Sequence, residues 1–364
     1  MNQMFLSGQY YRKVSLRMKV DRKKIGELEK CYSMTLLDYN NSKHIVVATE
    51  KIGKCFLFDL DGNLEETIWD GYGGTMSIVQ VPGSNGQFLA THKFYSPNDS
   101  KNASIVVVSP KGKDYWEIRT LVNLPFVHRF DIITRNGINY LIVCTIKSGH
   151  EYKDDWTIPG KVYSAVLPDN LEDFNDNNQL QLEVIKDGMS KNHGYYRYLN
   201  NGSQSAVISC EQGVFHFVPP ANINGKWTIE KLISTPASDA LLLDFDNDGI
   251  DELVVFSPFH GDNLIIYKKD NEKYTEVFST KMEFLHAIYG GLICGKPMII
   301  VGHRGGKRNL IAITYNDKTG NYDLEILDTN AGAANVITYK NKSKDIIIAT
   351  NREINEITMY TLQC

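Results

Sequence analysis

One short pattern recurs seven times along the chain of 364 residues: a polar turn followed by a strongly apolar, strand-like segment. Other strand-like stretches precede and follow each copy, so four strands return about every 50 residues. Each apolar segment is nearly continuous, which is typical of strands covered on both faces of a sheet. The seven segments read HIVVATE (44–50), QFLATHK (87–93), YLIVCTIK (140–147), SAVISCE (205–211), ELVVFSP (252–258), MIIVGHR (298–304) and DIIIATN (345–351).

Four-stranded units repeated at this interval indicate a β-propeller, in which the blades are arranged around a central channel. The sequence therefore predicts an all-β, seven-bladed β-propeller that forms a single domain over 1–364. The last unit ends after three strands, and residues 10–18 (YYRKVSLRM) are predicted to add the fourth strand and close the ring. Two stacked β-sandwiches are the alternative, but they would not produce a repeat of constant phase. The predicted blades span approximately 31–72, 73–122, 124–188, 190–234, 237–281, 284–328 and 332–364.

The charge and hydropathy patterns exclude several classes of partner. The formal net charge is −4, and Lys and Arg are spread along the chain without a basic stripe, so nucleic acid is not expected. No stretch resembles a membrane span, and the N-terminal segment lacks the pattern of a secretory signal. None of the six cysteines forms a CxxC pair, which favours buried free thiols over disulfides or a zinc site. We therefore expect a cytoplasmic protein without a membrane partner, whose oligomeric state the sequence leaves open.

An Asp-rich segment in the fifth unit, LLLDFDNDGIDELVVFSP (241–258), carries oxygen donors at alternating positions, with Gly249 permitting a sharp turn. It resembles the FG-GAP or VCBS repeat of β-propellers, in which this hairpin joins the first two strands of a blade and often holds Ca²⁺. An Asx-rich hairpin that is stable without metal is the alternative. The resemblance implies as ligands Asp244, Asp246, Asp248, the carbonyl group of Ile250, and Glu252.

Seven of the nine histidines fall at two equivalent places in the repeat. Neighbouring strands of a blade are antiparallel, so the start of a first strand and the end of a second strand lie at the same end of the blade. We therefore expect these histidines to converge on one mouth of the channel, opposite the Asp-rich hairpin. First strands begin at His128, His193 and His286, and second strands end at or just before His92, His150, His260 and His303.

Several neutral imidazoles around a narrow channel predict a site for a divalent transition metal such as Zn²⁺ or Mn²⁺. The predicted ligands share one register on different blades: His128, His193 and His286, with Asp239 on a neighbouring blade. Glu211 or His303 would complete the set. Because the sequence contains no local pair of ligands such as HExxH, this prediction depends on the predicted fold.

Basic and aromatic residues near the same positions predict a sugar or another anionic small molecule as the ligand. The architecture and the histidine pattern are similar to those of carbohydrate-active propellers, including aldos-2-ulose dehydratase and the rhamnogalacturonan and oligogalacturonate lyases. This resemblance implies a lyase, dehydratase or isomerase that removes a proton beside a carboxylate or carbonyl group. A non-catalytic propeller that binds carbohydrate or protein is the alternative. The predicted catalytic residues are His92, His150 or His260 as base, Tyr152 or His303 as acid, and Arg129, Arg197 and Arg304 for the anion.

Overall fold

The computed structural model describes residues 18–271 and 273–363. Over these residues the chain forms seven four-stranded antiparallel sheets, and no α-helix is present in this part of the chain. The prediction of a seven-bladed β-propeller is confirmed. Consecutive strands build each blade from the channel outwards, except in the seventh blade, which contains strands from both ends of the described chain.

The strand β1 (Lys19–Glu27) belongs to the seventh blade. Blade 1 contains β2 (Cys31–Tyr39), β3 (Ser42–Thr49), β4 (Cys55–Asp59) and β5 (Leu64–Trp69), and blade 2 contains β6 (Ile78–Gln80), β7 (Phe88–His92), β8 (Ser104–Gly112) and β9 (Tyr115–Asn123). Blade 3 contains β10 (Val127–Arg135), β11 (Ile138–Thr145), β12 (Gly160–Val166) and β13 (Glu183–Met189), and blade 4 contains β14 (Gly194–Asn200), β15 (Ser203–Cys210), β16 (Gly213–Val218) and β17 (Thr228–Ile233).

Blade 5 contains β18 (Asp239–Leu243), β19 (Glu252–Ser257), β20 (Asn263–Asp270) and β21 (Lys273–Lys281). Blade 6 contains β22 (Leu285–Ile293), β23 (Lys296–His303), β24 (Leu310–Asn316) and β25 (Asn321–Asp328). Blade 7 contains β26 (Asn335–Asn341), β27 (Lys344–Asn351) and β28 (Glu356–Gln363), with a short 3₁₀ turn at Arg352–Ile354. Its outermost strand is β1.

An N-terminal strand closes the ring, but it is not the segment that the sequence indicated. Strand β1 pairs with β28 from Lys19 opposite Gln363 to Glu27 opposite Glu356. The predicted segment 10–18 lies outside the described residues except for Met18. An outermost strand is largely exposed to water, so the closing sequence KVDRKKIGE needs few apolar residues and gives a weak strand signal.

The core lies between the faces of adjacent blades. The second strand of every blade is almost completely buried, as its continuous apolar sequence predicts. One hydrophobic cluster, for example, packs Val254 and Phe256 of blade 5 against Ile299 and Val301 of blade 6. Each such side chain contributes about 1.5–3 kcal/mol when it is fully buried. The packing of sheet on sheet therefore fixes the rotation of each blade about the channel.

The cysteines follow the prediction at four positions and depart from it at one. Cys31, Cys55, Cys144 and Cys210 are free and buried. Cys294, by contrast, is disulfide-bonded, so the prediction of a free thiol is wrong for this residue. The reason is its place in the turn between β22 and β23, where it is only partly buried and no apolar strand shields it. Among the described residues, no helix has the length and apolar character needed to cross a membrane.

Candidate functional site

One residue from each blade occupies an equivalent position where the innermost strand begins. The equivalence is visible in hydrogen bonds between blades, because the Nδ1 atom of each histidine in this set contacts the carbonyl oxygen of the next member. The distances are 3.3 Å from His128 to His193, 3.2 Å from His193 to Ser238 and 2.7 Å from His286 to Ala334. The seven residues, called the mouth ring below, are Tyr32, Met76, His128, His193, Ser238, His286 and Ala334.

A recurring backbone conformation directs several members of the mouth ring towards the channel. In four blades a non-glycine residue two positions earlier adopts the left-handed conformation, which costs about 1 kcal/mol or more. Because this strained conformation recurs two positions before the ring residue in four blades, the chain must follow the same path into the innermost strand in each of them. The four residues are Lys30, Phe126, Lys191 and Phe284, with φ of 48°, 63°, 47° and 57°.

The hydrogen bonds of the ring histidines also fix which nitrogen atom faces the channel. A carbonyl oxygen can only accept, so the Nδ1 atoms of His128, His193 and His286 carry the proton and donate it. His193 Nδ1 is also 3.1 Å from the Oδ2 atom of the buried Asp239 carboxylate. In the neutral form of each ring this arrangement places the lone pair on Nε2, which is the form that binds metal ions.

A further histidine, His260, completes the cluster from a different part of blade 5. The ring position of this blade is the small residue Ser238, whose carbonyl group contacts His193. His260 follows strand β19 in the left-handed conformation (φ 45°), and its ring stacks on Phe259 with 4.1 Å between centroids. Its Nε2 atom lies 3.1 Å from His193 Nε2. We call His193, His260 and His286 the histidine cluster.

The geometry of the histidine cluster suits a transition metal ion. One ligand nitrogen from each residue lies within 4.8 Å of the others. With bonds of about 2.0–2.1 Å, two nitrogens of a tetrahedral site lie roughly 3.4 Å apart, which is close to the 3.1 Å between His193 and His260. The Asp239 carboxylate on His193 is the kind of outer partner that orients a metal-binding imidazole. The residues present therefore fit a metal ion.

Burial keeps His128, His260 and His286 neutral. Burial, together with the neighbouring His193, lowers the pKa of His260 to about 2. Burial and the nearby Arg304 hold the pKa of His286 well below its usual range. Burial likewise lowers the pKa of His128, which lines the same space but is not part of the cluster. His260 and His286 are thus neutral at neutral pH.

The mouth ring opens into a cavity of about 230 Å³. The Tyr32 hydroxyl donates to Nε2 of His286 at 3.1 Å. The Arg129 guanidinium lies 5.6 Å from the centre of the Tyr32 ring. On the outer rim Arg304 pairs with Glu353. Other residues that line the cavity are Glu50, Lys51, Met76, Phe94, Tyr95, Phe284 and Arg352.

The sequence pattern does not single out Tyr32, because it indicates a first strand of blade 1 that begins near Met34, two residues beyond the ring position. The signal that would have found Tyr32 is the spacing from the second strand. Counting back from HIVVATE (44–50) by the interval seen in blades with a ring histidine ends at Tyr32 rather than at Met34.

Three of the predicted residues at second-strand ends do not line the cavity. His303 Nδ1 donates to the Gly305 carbonyl at 3.0 Å and its Nε2 accepts from the Asn309 amide at 3.0 Å, so both nitrogens hold the local loop. His92 packs between Trp69 and Tyr72. The second strand lies one strand further from the channel, so side chains at its end point between blades. His260 differs because of its left-handed turn.

The third of these residues, His150, lies in the insertion 148–161, whose His, Tyr, Trp and acidic side chains are typical of a flap over a polar ligand. Its ring meets Phe126 edge-on at 5.3 Å, and Tyr152 is 65% exposed to solvent. The insertion instead contributes Trp156, which packs against Phe259 at 6.0 Å between centroids. Since Phe259 stacks on His260, this insertion supports the histidine cluster from behind.

Three further predicted residues have local partners. Arg197 pairs with the buried carboxylate of Asp131. Glu211 pairs with Lys191 at 2.5 Å and does not line the cavity. Asp239, predicted as a ligand, contacts His193 Nδ1 and so belongs to the outer shell of the cluster. Of the predicted ligands, the structure brings His193 and His286 together, and His260 takes the place expected for His128.

The Asp-rich hairpin (residues 244–252) joins β18 to β19 at the end remote from His260, on the opposite face, as predicted. Oxygen atoms of Asp244, Asp246 and Glu252 lie within 4.8 Å of one another. Asp248 is the more exposed acid, and the Ile250 side chain is half-exposed at the tip. The hairpin is therefore separate from the site at the channel mouth.

We expect His92 to make folding sensitive to acid. Burial lowers its pKa to about 3, against about 6.5 in an unfolded chain. As the pH falls below 6.5 the unfolded chain takes up this proton first, so stability is lost down to about pH 3 at about 1.4 kcal/mol per pH unit. In urea unfolding between pH 6 and pH 4, the free energy of unfolding should fall with decreasing pH by about 1.4 kcal/mol per pH unit less in His92→Gln than in the wild type.

Tyr72→Phe is the matched control for this experiment, because it keeps His92 and the aromatic ring stacked on it. Its pH dependence should equal that of the wild type. An equal slope for wild type and His92→Gln would show that His92 does not titrate differently in the two states.

These observations define a seven-bladed β-propeller with a histidine-lined site at one mouth of its channel. The structure is similar to the crystal structure of a candidate 6-phosphogluconolactonase from Bacteroides uniformis, with a TM-score of 0.55. The two share 12% sequence identity, and the match covers 92% of this chain and 95% of the other. Similarity at this level of identity shows the fold. No protein family matches the sequence. No curated protein matches it either.

Proposed function

We propose that this protein is a metal-dependent lyase, dehydratase or isomerase acting on a sugar acid at the channel mouth. The observation that carries the proposal is the convergence of one ligand nitrogen from each of His193, His260 and His286 at one small cavity. Neutral histidines with their second nitrogens held by the protein are the usual ligands of Zn²⁺ and related ions. Such an ion, when bound, stabilises negative charge that develops on a substrate oxygen.

The cavity favours an anion. Lys51, Arg304 and Arg352 line it, whereas Glu50 is the only carboxylate among the described lining residues. Lys51 Nζ donates to a main-chain carbonyl group at 2.9 Å, so its charge remains available to a ligand. Arg304, by contrast, pairs with Glu353, and Arg352 pairs with Glu50. The carboxylate of a sugar acid would bind at Lys51 and would compete with these two glutamates for the guanidinium groups.

The size of the cavity indicates a small substrate. A volume of about 230 Å³ lies below the range of about 300–1,000 Å³ that holds drug-sized ligands. Phe94 and Phe284 offer apolar faces for the carbon skeleton of one sugar unit. We therefore infer a monomeric sugar acid, or the end of a chain, as the substrate.

Two groups in the cavity are placed to move protons. The Tyr32 hydroxyl lies 3.1 Å from His286 Nε2 and would be free to turn to the substrate once that nitrogen bound an ion, and His128 lines the same cavity. In the reaction one group would accept the proton beside the carboxylate and the other would protonate the leaving oxygen. Tyr32 and His128 thus take the acid and base roles, for which the sequence had indicated Tyr152 or His303 as acid and His92, His150 or His260 as base.

The proposal is tested by incubating the protein, with and without added Zn²⁺ or Mn²⁺, with a panel of aldonates and uronates. Formation of an unsaturated acid is followed by ultraviolet absorbance and isomerisation by chromatography. The proposed function predicts turnover that chelators abolish and the metal restores. Binding of sugar acids without turnover under any metal condition would instead identify a non-catalytic binding propeller.

Replacing Asp239 by asparagine is expected to weaken metal binding by about 10–100-fold. The asparagine oxygen can still accept from His193 Nδ1, but it lacks the charge that makes the imidazole a stronger ligand. Asp317→Asn, on the surface, is the control and should bind metal like the wild type. The measurement is competition against a chelating dye, and equal affinities for both variants would contradict the role of Asp239.

A further inference from the structure

We infer that the Asp-rich hairpin carries its own cation: the ammonium group of Lys268 occupies the place that Ca²⁺ takes in hairpins of this pattern. Lys268 Nζ lies 2.7 Å from Asp248 Oδ2 and 3.5 Å from Glu252 Oε1, and it also contacts Asp246. These are three of the oxygen ligands that the motif would offer to a metal ion. The inference is independent of the function proposed for the channel mouth.

The register of blade 5 places the lysine there. Strands β19 and β20 pair with Leu253 opposite Tyr267, so the next position brings Lys268 alongside Glu252 at the base of the hairpin. The side chain then extends over the turn towards Asp246 and Asp248. Lys268 lies well beyond the Asp-rich motif in the sequence, so the motif gives no sign of it.

Glu252 independently requires a positive charge at this point. Its side chain is 0% exposed, and its Oε2 atom accepts from the Phe245 amide at 2.7 Å. Its Oε1 atom has no hydrogen-bond donor and points towards the lysine. A buried carboxylate oxygen without a cation is costly, so the hairpin needs either the ammonium group or a metal ion.

The other carboxylates of the hairpin are compatible with a monovalent cation. Asp244 accepts from the main-chain amides of Asp248 and Gly249, at 3.1 and 3.0 Å, which stabilises the turn without an ion. Asp248 remains partly in contact with water, which screens its charge. One ammonium group is thus sufficient for the two more buried acids.

Ca²⁺ and the ammonium group exclude each other. An ion bound at about 2.3–2.6 Å from oxygen atoms of Asp246, Asp248 and Glu252 would overlap the position of Nζ. The ammonium group therefore holds the place of the ion, and the hairpin should be indifferent to calcium.

The test compares the wild type with Lys268→Met, which keeps the length of the side chain and removes its charge. Thermal unfolding and calorimetric titration with Ca²⁺ are measured in both, with EDTA as the metal-free reference. We expect no response to Ca²⁺ at the hairpin in the wild type. Lys268→Met should unfold at lower temperature in EDTA, recover on addition of Ca²⁺, and bind Ca²⁺ at least tenfold more tightly than the wild type.

Two further variants make the result specific. Lys281→Met removes an exposed lysine from the neighbouring strand and should behave like the wild type. Adding Asp246→Asn to Lys268→Met should abolish the recovery with Ca²⁺. If Lys268→Met does not fold, a terbium luminescence titration of the wild type tests the inference instead. The inference predicts that no terbium ion binds at the hairpin. Saturable binding of one ion there by the wild type would overturn it, as would a folded Lys268→Met that neither loses stability nor gains Ca²⁺ affinity.

Discussion

Replacing His193 by alanine is expected to abolish metal binding at the channel mouth and to lower kcat/KM by about 1,000-fold or more. The magnitude follows from the several kcal/mol that a bound metal ion contributes to stabilising charge in a transition state. His193 has the largest effect because it connects the other groups. Its Nε2 atom meets His260, its Nδ1 atom meets Asp239, and its carbonyl oxygen holds His128.

The matched control is His92→Ala. His92 belongs to the same sequence pattern as the ring histidines, and it is also buried, but it packs between Trp69 and Tyr72 away from the cavity. This variant should lose stability and keep its metal. Metal content and turnover are measured on both variants after circular dichroism has shown that each is folded. Equal retention of metal by His193→Ala and His92→Ala would contradict the assigned ligand.

Removing β1 by deletion of residues 1–27 is expected to eliminate the stable monomer. Eight positions of β1 pair with β28, and at about 1 kcal/mol for each hydrogen bond their loss approaches the whole stability of an ordinary domain. The deletion also removes the ion pairs of Arg22 with Asp328 and Glu356. It leaves β28 as an unpaired edge, so aggregation through this strand should accompany unfolding.

Deletion of residues 1–17 is the control, because it leaves the pairing of β1 intact and removes most of the segment 10–18 that the sequence first indicated. Urea unfolding and analytical ultracentrifugation are the measurements. If deletion of residues 1–17 unfolds the protein and deletion of residues 1–27 destabilises it no further, the strand that closes the ring would be residues 10–18 rather than β1.

The blade repeat was predictable because the second strands are buried on both faces and must therefore be apolar throughout. The closing strand was not, since the exposed sequence of β1 carries almost no hydrophobic pattern. The candidate site was likewise predictable only in part. The equivalence of His128, His193 and His286 follows from the register of the repeat, which the sequence displays.

The direction of side chains that follow the second strands depends on individual loops instead. His260 reaches the channel through a left-handed backbone conformation, whereas His303 is held by its own loop. No spacing in the sequence distinguishes these two residues. The same limit applies to Lys268, whose contact with the hairpin arises from pairing between strands β19 and β20.

The most direct test of the histidine cluster is a titration of the metal-free protein with Co²⁺, which reports on its ligands through its visible absorption and takes the place of Zn²⁺. The structure predicts one tightly bound ion per chain, with a spectrum typical of nitrogen ligands in a site of low coordination number, displaced by Zn²⁺ and lost in His193→Ala. A wild-type protein that binds no Co²⁺ and no Zn²⁺, or binds them unchanged after His193→Ala, would contradict the assignment of His193, His260 and His286 as a metal centre.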